Sequence, residues 1–209
     1  FEDLTVRRAA TFCNDRTGLD RGHAESMVDL LATLHGTFHA SSRFVGDLRW
    51  LGTYEDYLTG SIRNGSRAGH ERAMTIAATV IPQGVNQRRD AIWPALLAGL
   101  EAHRTEPQTL LHSDVHLGNW YIAGDGRMGL CDWALVCRGL WARDLAYALS
   151  TALEPEQRRA WERDLLARYL AAFAAAGGPA IAQDRAWNLY RGQMVAALLM
   201  WTPTLCPSP

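Results

Sequence analysis

Between residues 110 and 133 the chain places several chargeable side chains among apolar runs. The stretch reads LLHSDVHLGNWYIAGDGRMGLCDW, and its polar members include His112, Asp114, His116, Asn119 and Asp132. Carboxylate, amide and imidazole groups this close together can hold a metal ion, support phosphoryl transfer or close an ordinary turn between strands. The residue types alone leave these three uses open.

Phosphoryl transfer from a nucleotide makes specific demands on such a segment. It requires a divalent cation held by oxygen ligands and an acceptor for the proton of the attacking hydroxyl. Both must stand on rigid backbone, because the catalysis consists mostly of positioning and charge neutralisation. The predicted order of strand, loop and hairpin meets this demand. Asp114 leaves the first strand, Asn119 enters the second, and Asp132 ends the third, so the hairpin returns it toward the other two.

A hydrolytic metal site is the rival use of the same residues. His112, Asp114 and His116 alternate, so an extended strand would put all three on one face as a zinc or manganese triad. This interpretation leaves Asn119 and Asp132 unexplained. It also finds no second histidine cluster, because the other histidines are scattered over predicted helices.

Helices must position this segment, because they dominate the rest of the chain. Apolar residues at helical spacing predict helices over 21–38, 72–81, 88–103, 143–153, 156–175 and 183–201. Residues 1–20 look irregular, and 41–69 reads as a loop-rich segment with one or two short helices. Short β-like runs at 109–112, 119–123 and 128–133, with a turn at 124–127, predict a small β insert. The sequence therefore predicts a mainly helical α+β fold, in which the insert packs on the helices.

Composition narrows the class of protein. The chain has 209 residues, 48% of them hydrophobic, which suffices for one domain or one and a half with a sizeable core. A net charge of -1 argues against nucleic acid or an anionic membrane as a partner. The apolar runs are too short to span a bilayer. All 21 basic residues are arginine, which together with many alanines is typical of a GC-rich bacterial genome.

The four cysteines form no C-x-x-C pair and lack zinc-finger spacing. Cys131 lies in an apolar run and is predicted to be a buried free thiol. Free thiols fit a reducing compartment, so we expect a cytoplasmic protein.

The polar segment resembles a known catalytic motif. Residues His112 to Asn119 fit H-x-D-x-x-x-x-N of the kinase catalytic loop, and Asp132–Trp133 stands where kinases carry D-F-G. The sequence HSDVHLGNWY, followed by CDW, is most similar to the aminoglycoside phosphotransferase and choline kinase superfamily. WARDLAYAL, which contains Asp144, resembles a segment downstream of that site, and FEDLT at the start resembles the hinge. The resemblance covers most of the chain and is sharp only between residues 110 and 149.

The resemblance implies a protein-kinase-like C-terminal lobe over 1–209 that uses ATP and Mg²⁺. Its parts would be a hinge remnant at 1–5, a helical part at 21–104, the catalytic loop and metal-binding hairpin at 108–133, and C-terminal helices at 141–201. Asp114 would act on the substrate hydroxyl, and His116 would contact the γ-phosphate. Asn119 and Asp132 would bind magnesium, and His112 and Asp144 would support the loop. The adenine would lie near Glu2, Asp3 and Leu4. The acceptor would be a hydroxyl group of a small molecule.

Two kinase features are missing from the sequence. No Gly-rich phosphate loop precedes the catalytic loop, and the chain contains no lysine to pair with a helix glutamate. Arginine is a poor substitute at a site built for a compact ammonium. We therefore expect that the N-terminal lobe is absent from this chain and that the isolated chain does not turn over ATP. The alternative is a catalytically inactive, kinase-like binding module.

Overall fold

The computed structural model of the protein describes residues 3–205 and has a mainly helical α+β fold, as predicted. The helices are α1 (Leu4–Arg7), α2 (Arg21–Phe38), α3 (Tyr54–Arg63), α4 (Ser66–Ile76), α5 (Gln83–Asn86), α6 (Arg89–Thr105), α7 (Ala142–Ala152), α8 (Pro155–Ala175), α9 (Gln183–Gly192) and α10 (Met194–Leu205). The strands are β1 (Thr11–Phe12), β2 (Thr109–Leu111), β3 (Trp120–Ile122), β4 (Met128–Leu130) and β5 (Cys137–Gly139). No helix within these residues is both long enough and apolar enough to cross a membrane.

The strands form two small antiparallel sheets in place of one insert. β3 and β4 make the predicted hairpin. β1 pairs with the free edge of β3, so that Phe12 lies opposite Tyr121. β2 does not join that hairpin and pairs instead with β5, so that Leu111 lies opposite Cys137. β1 and β5 were not predicted from the sequence, because neither belongs to a hairpin with a recognisable turn, as β3 and β4 do.

The helix predicted over 183–201 is two helices. α9 ends at Gly192 and α10 begins at Met194, with the buried Gln193 between them. The Gln193 side chain contacts α6 at two points, since its amide oxygen lies 3.1 Å from His103 Nε2 and its amide nitrogen donates to the Gly99 carbonyl at 2.9 Å. The break therefore coincides with a buried polar contact that joins the C-terminal helices to α6.

The core lies where α2, α7 and α8 meet. α2 and α8 approach closely at Gly36, where an added Cβ would stand 2.5 Å from the carbonyl oxygen of Phe173. α7 is surrounded, because every residue from Ala142 to Leu149 is buried. That run includes the charged pair Arg143 and Asp144, and buried charges must find partners inside the protein. Arg143 pairs with Asp144 itself, and Asp144 also accepts N–H groups of the polar segment, as described below.

His103 gives the fold a predictable dependence on pH. Its ring Nδ1 accepts from the Leu140 N–H at 3.1 Å, so the ring is neutral, and burial lowers its pKa to about 4 from the ordinary 6.5. Below pH 6.5 the unfolded chain binds the proton and the folded chain does not. The free energy of unfolding should therefore fall by about 2–3 kcal/mol from this residue alone between about pH 7.5 and about pH 4.5. Urea denaturation at both pH values measures this, and the loss should shrink in His103→Gln. An equal loss in that variant would show that His103 is not responsible.

Candidate active site

Asp144 fixes the start of the polar loop. Its carboxylate, fully buried in the first turn of α7, accepts the N–H of His112 at 2.8 Å and that of Ser113 at 3.2 Å. Arg143 Nη1 donates to it at 3.2 Å, and His35 Nε2 lies 3.5 Å away. Burial alone would raise the pKa of Asp144, but the approach of His35 and the charge of Arg143 outweigh burial and lower the pKa. The loop is thus anchored on an ionised, buried carboxylate.

His112 connects the two ends of the segment. Its Nε2–H donates to the Cys131 carbonyl at 2.8 Å, and its Nδ1 accepts from the Asp114 N–H at 3.2 Å. These two bonds require the neutral ring. Burial lowers the pKa of His112, although nearby carboxylates, including Asp114 and Asp132, act to raise it. His112 therefore braces the loop against the residue that precedes Asp132.

The metallohydrolase interpretation is wrong for these residues. Ser113 has φ 72°, so the backbone turns after β2 and the three side chains do not share one face of an extended strand. His112 is buried, and both of its ring nitrogens are already hydrogen-bonded. Across residues 3–205, no three His, Cys, Asp or Glu side chains are grouped to hold a metal ion.

Asp114 stands at the open end of the loop. Its side chain is 24% exposed, which leaves the carboxylate accessible from solvent. Asn119 Nδ2 donates to the Asp114 carbonyl at 2.7 Å and reaches its Oδ2 at 3.3 Å. From the buried side, the Tyr147 hydroxyl lies 3.4 Å from Oδ1. The carboxylate is thus held from two directions and open in a third.

Asn119 ends a short 3-10 turn, Leu117–Asn119, just before β3. A carbonyl oxygen only accepts, so the contact with the Asp114 carbonyl fixes the Asn119 amide nitrogen and leaves the amide oxygen on the other side of the group. The Asn119 main-chain carbonyl accepts the Cys131 N–H at 2.9 Å. Asn119 is therefore tied both to Asp114 and to the neighbour of Asp132.

Asp132 adopts a left-handed conformation, with φ 59° and ψ 73°. Asp tolerates this conformation better than most residues, because its short side chain can bond to nearby backbone. Here the carboxylate accepts the Ala134 N–H at 3.3 Å, and the exposed Asp132 begins the 3-10 turn Trp133–Leu135. The Trp133 ring stands edge-on to His112, with centroids 4.7 Å apart. Oxygen donors on Asn119 and Asp132 suit Mg²⁺, which commonly takes one or two carboxylates, phosphates and water.

His116 faces Asp114. Its Nδ1 accepts the Gly118 N–H at 3.1 Å, so Nε2 carries the hydrogen, and Nε2 lies 3.8 Å from Asp114 Oδ2. The ring is 27% exposed and stands edge-on to Trp201 of α10, with centroids 5.4 Å apart. Trp201 and Tyr147 were not predicted from the sequence to lie at this site. Tyr147 could have been found, since it follows Asp144 by three positions on a predicted helix and so shares its face.

Gly118 provides the space for the His116 ring. A Cβ at Gly118 would lie 2.9 Å from Cε1 of that ring. Gly118→Ala should displace the ring and lower kcat about tenfold or more while the protein stays folded, since small misplacements at a reacting centre are costly. Gly192→Ala, at the end of α9 with nothing within 4 Å of an added Cβ, is the control and should keep full activity. Equal activities in the two variants would mean that the position of His116 is unimportant.

The predicted cofactor-binding residues lie at the edge of the described chain. Glu2 is outside the described residues. Asp3 is exposed and caps α1, where its carboxylate accepts the N–H of Thr5 at 3.0 Å, and Leu4 begins that helix. The segment reaches the β3–β4 hairpin through the Arg8 carbonyl, which accepts the Gly124 N–H at 2.8 Å. Cys131, expected to be buried, is only half-buried, because it closes the open end of the hairpin.

Comparison with solved structures gives the class of fold. A macrolide 2'-phosphotransferase type I matches 93% of this chain with a TM-score of 0.51 at 18% identity, and the chain spans 59% of its length. The choline kinase LicA from Streptococcus pneumoniae matches 92% at a TM-score of 0.42 and 13% identity, over 68% of that chain. The macrolide 2'-phosphotransferase MphH from Brachybacterium faecium matches 97% at 0.45 and 18%, over 67% of that chain. The first likeness shows that the chain has the fold of a kinase-like phosphotransferase.

The family follows from the sequence itself. The model of the phosphotransferase enzyme family, APH, matches residues 3–187, and the chain therefore belongs to this family. The resemblance to the aminoglycoside phosphotransferase and choline kinase superfamily is confirmed. No curated protein matches the chain.

Proposed function

We propose that the protein transfers the γ-phosphate of ATP to a hydroxyl group of a small molecule. The observation that carries the proposal is the contact between Asp114 and Asn119 at the open end of a loop anchored by Asp144. Membership of the phosphotransferase enzyme family supports it. We place the reaction in the cytoplasm, where ATP is available.

In this proposal Asp114 orients the acceptor hydroxyl and takes its proton, since its carboxylate is accessible and held by neighbours. Asn119 and Asp132 would hold magnesium through the Asn119 amide oxygen and the Asp132 carboxylate. Bound magnesium would neutralise charge on the nucleotide phosphates.

The remaining site residues would position or contact the transferred group. His116 Nε2–H faces the open side of Asp114 and would donate to an oxygen of the γ-phosphate. His112 and Asp144 hold the loop backbone and take no part in the chemistry. We place the adenine near Glu2, Asp3 and Leu4, on the segment that contacts the hairpin through Arg8.

The charges on α3 bear on the acceptor. α3 lies next to the helix that holds the loop, since the Tyr54 ring of α3 stands 5.0 Å from the guanidinium of Arg143 on α7. The two acids of α3 are already engaged. Glu55 accepts from Arg104 Nε at 2.8 Å, and Asp56 accepts from the Thr53 hydroxyl at 2.7 Å. Because both acids are engaged, α3 would suit a neutral or singly charged acceptor better than a polycation. The named neighbours act on a macrolide 2' position and on choline.

A catalytically inactive binding module is the second candidate. The observation in its favour is that none of the 209 residues is lysine, the residue that kinases use to hold the α- and β-phosphates. Both candidates predict magnesium-dependent nucleotide binding. They differ in whether a phosphorylated product forms.

The deciding experiment uses the complete gene product with γ-labelled ATP, Mg²⁺ and a panel of amino alcohols, sugars and macrolides. The label should appear on a hydroxyl of one acceptor class, and chelation of Mg²⁺ should abolish the product. Nucleotide binding without product across the panel would support the inactive module. Absence of both binding and product would refute both candidates.

A further inference from the structure

The face of α7 that holds the catalytic loop carries one more polar group. Arg143, Asp144 and Tyr147 are spaced by three and four positions and therefore lie on one side of the helix. Asp144 holds the start of the loop, as described above. The Tyr147 hydroxyl lies 3.4 Å from Asp114 Oδ1, at the other end of the loop. α7 thus contacts the loop at two points, its backbone and its reactive carboxylate.

Arg143 determines where the Tyr147 ring can lie. The guanidinium is fully buried and stands over two aromatic rings, 5.0 Å from the centroid of Tyr54 and 4.7 Å from that of Tyr147. Its Nε and Nη2 have no hydrogen-bond partner among the residues that the structure describes. The ring faces therefore provide much of its remaining stabilisation, and a desolvated cation over a ring is held firmly. Tyr54 is itself fixed, since it stacks on His103 at 4.6 Å.

The surroundings of Tyr147 keep its hydroxyl protonated, so that it can donate a hydrogen bond. Only 2% of the residue is exposed, so solvent does not compete strongly for its hydroxyl. Burial raises the pKa of Tyr147 well above its ordinary value, and the charge of Asp114 acts in the same direction. The phenol therefore stays protonated at neutral pH and can donate to the carboxylate of Asp114. Asn119 contacts the other carboxylate oxygen, at 3.3 Å, so the two neighbours together restrict its rotation.

We propose that Tyr147 is a positioning residue for the phosphoryl transfer. Its hydroxyl, held by the buried Arg143, keeps the Asp114 carboxylate in the orientation that receives the acceptor hydroxyl. This inference rests on the proposed function, in which Asp114 takes the proton. It assigns to Tyr147 no contact with the acceptor or with the nucleotide.

The test is Tyr147→Phe in the complete gene product, which removes the hydroxyl and keeps the ring beneath Arg143. A hydrogen bond to a charged group corresponds to a change of about 10- to 100-fold, so kcat should fall by that factor. The KM values for the acceptor and ATP should stay within about twofold, because the hydroxyl contacts neither ligand. A kcat close to that of the unmodified protein, or a change confined to KM, would overturn the inference.

Tyr190→Phe is the matched control. Tyr190 is also buried, and its hydroxyl donates to the carboxylate of Glu162 at 3.1 Å, in a contact that does not involve Asp114. Both variants lose a tyrosine–carboxylate bond, but only Tyr147→Phe should lose kcat. An equal fall in kcat in the two variants would show that Tyr147 has only a structural role and would overturn the inference.

Asp114→Asn separates failure of this inference from failure of the proposed function. An active Asp114→Asn variant would defeat the proposed function and the inference with it. An inactive Asp114→Asn beside a fully active Tyr147→Phe would defeat the inference alone.

Discussion

Replacing Asp144 with alanine should lower the free energy of unfolding by about 3–5 kcal/mol, the loss expected when one partner of a buried ion pair is removed. The variant leaves the buried Arg143 guanidinium without a carboxylate. It also leaves the N–H groups of His112 and Ser113 without their acceptor. Chemical denaturation measures the loss, and the order of the loop can be followed by hydrogen exchange at His112 and Ser113.

Asp125→Ala is the control for this prediction. Asp125 pairs with Arg127 at 2.7 Å on the hairpin turn, where both side chains are exposed, and such pairs contribute little. Its free energy of unfolding should stay nearly unchanged. If Asp144→Ala were as stable as Asp125→Ala, the anchoring of the loop by α7 would be refuted.

Asp114→Asn should lower kcat by about 10²- to 10⁴-fold, the range for loss of a positioned general base. The amide keeps the shape of the side chain but cannot take the hydroxyl proton. Nucleotide affinity should be largely retained, because the proposal assigns the metal to Asn119 and Asp132. Steady-state kinetics and nucleotide titration of the complete gene product measure the two quantities separately.

Asp164→Asn tests whether the loss is specific to the site. Asp164 lies on α8 with its side chain 75% exposed, and its replacement should leave kcat unchanged. Loss of nucleotide binding in a folded Asp114→Asn would give Asp114 a different role from the one proposed. Retained turnover would exclude it as the base.

Some of this site could be predicted because its signals are local. His112, Asp114 and Asn119 lie within eight consecutive residues, and the turn at 124–127 predicts the hairpin that returns Asp132. The supporting role of Asp144 was predicted as well, because the segment WARDLAYAL resembles one that lies downstream of the catalytic motif in the family. Whether Asp132 meets the other two at a cation remains a prediction.

The rest of the site depends on contacts between distant parts of the chain. β5 pairs with β2, which lies far from it in the sequence, and no periodicity in the sequence indicates this pairing. Trp201 contacts His116 from α10, the last described helix. Ser113 and Asp132 have positive φ without being glycine, so no turn signature marks them. The spacing of Asp144 and Tyr147 shows that both side chains lie on the same face of α7, but that spacing does not show that the Tyr147 hydroxyl reaches Asp114.

The most direct test of the account is whether residues 119 and 132 bind a cation together with a nucleotide. Mn²⁺ titration with ATP, followed by electron paramagnetic resonance on the complete gene product, measures this binding. Asn119→Ala and Asp132→Ala should each weaken Mn²⁺ affinity by at least about tenfold, a loss that even residues outside the first coordination shell can cause. Asp125→Ala should bind as the unmodified protein does. Unchanged Mn²⁺ affinity in both site variants would contradict the proposed phosphoryl-transfer site.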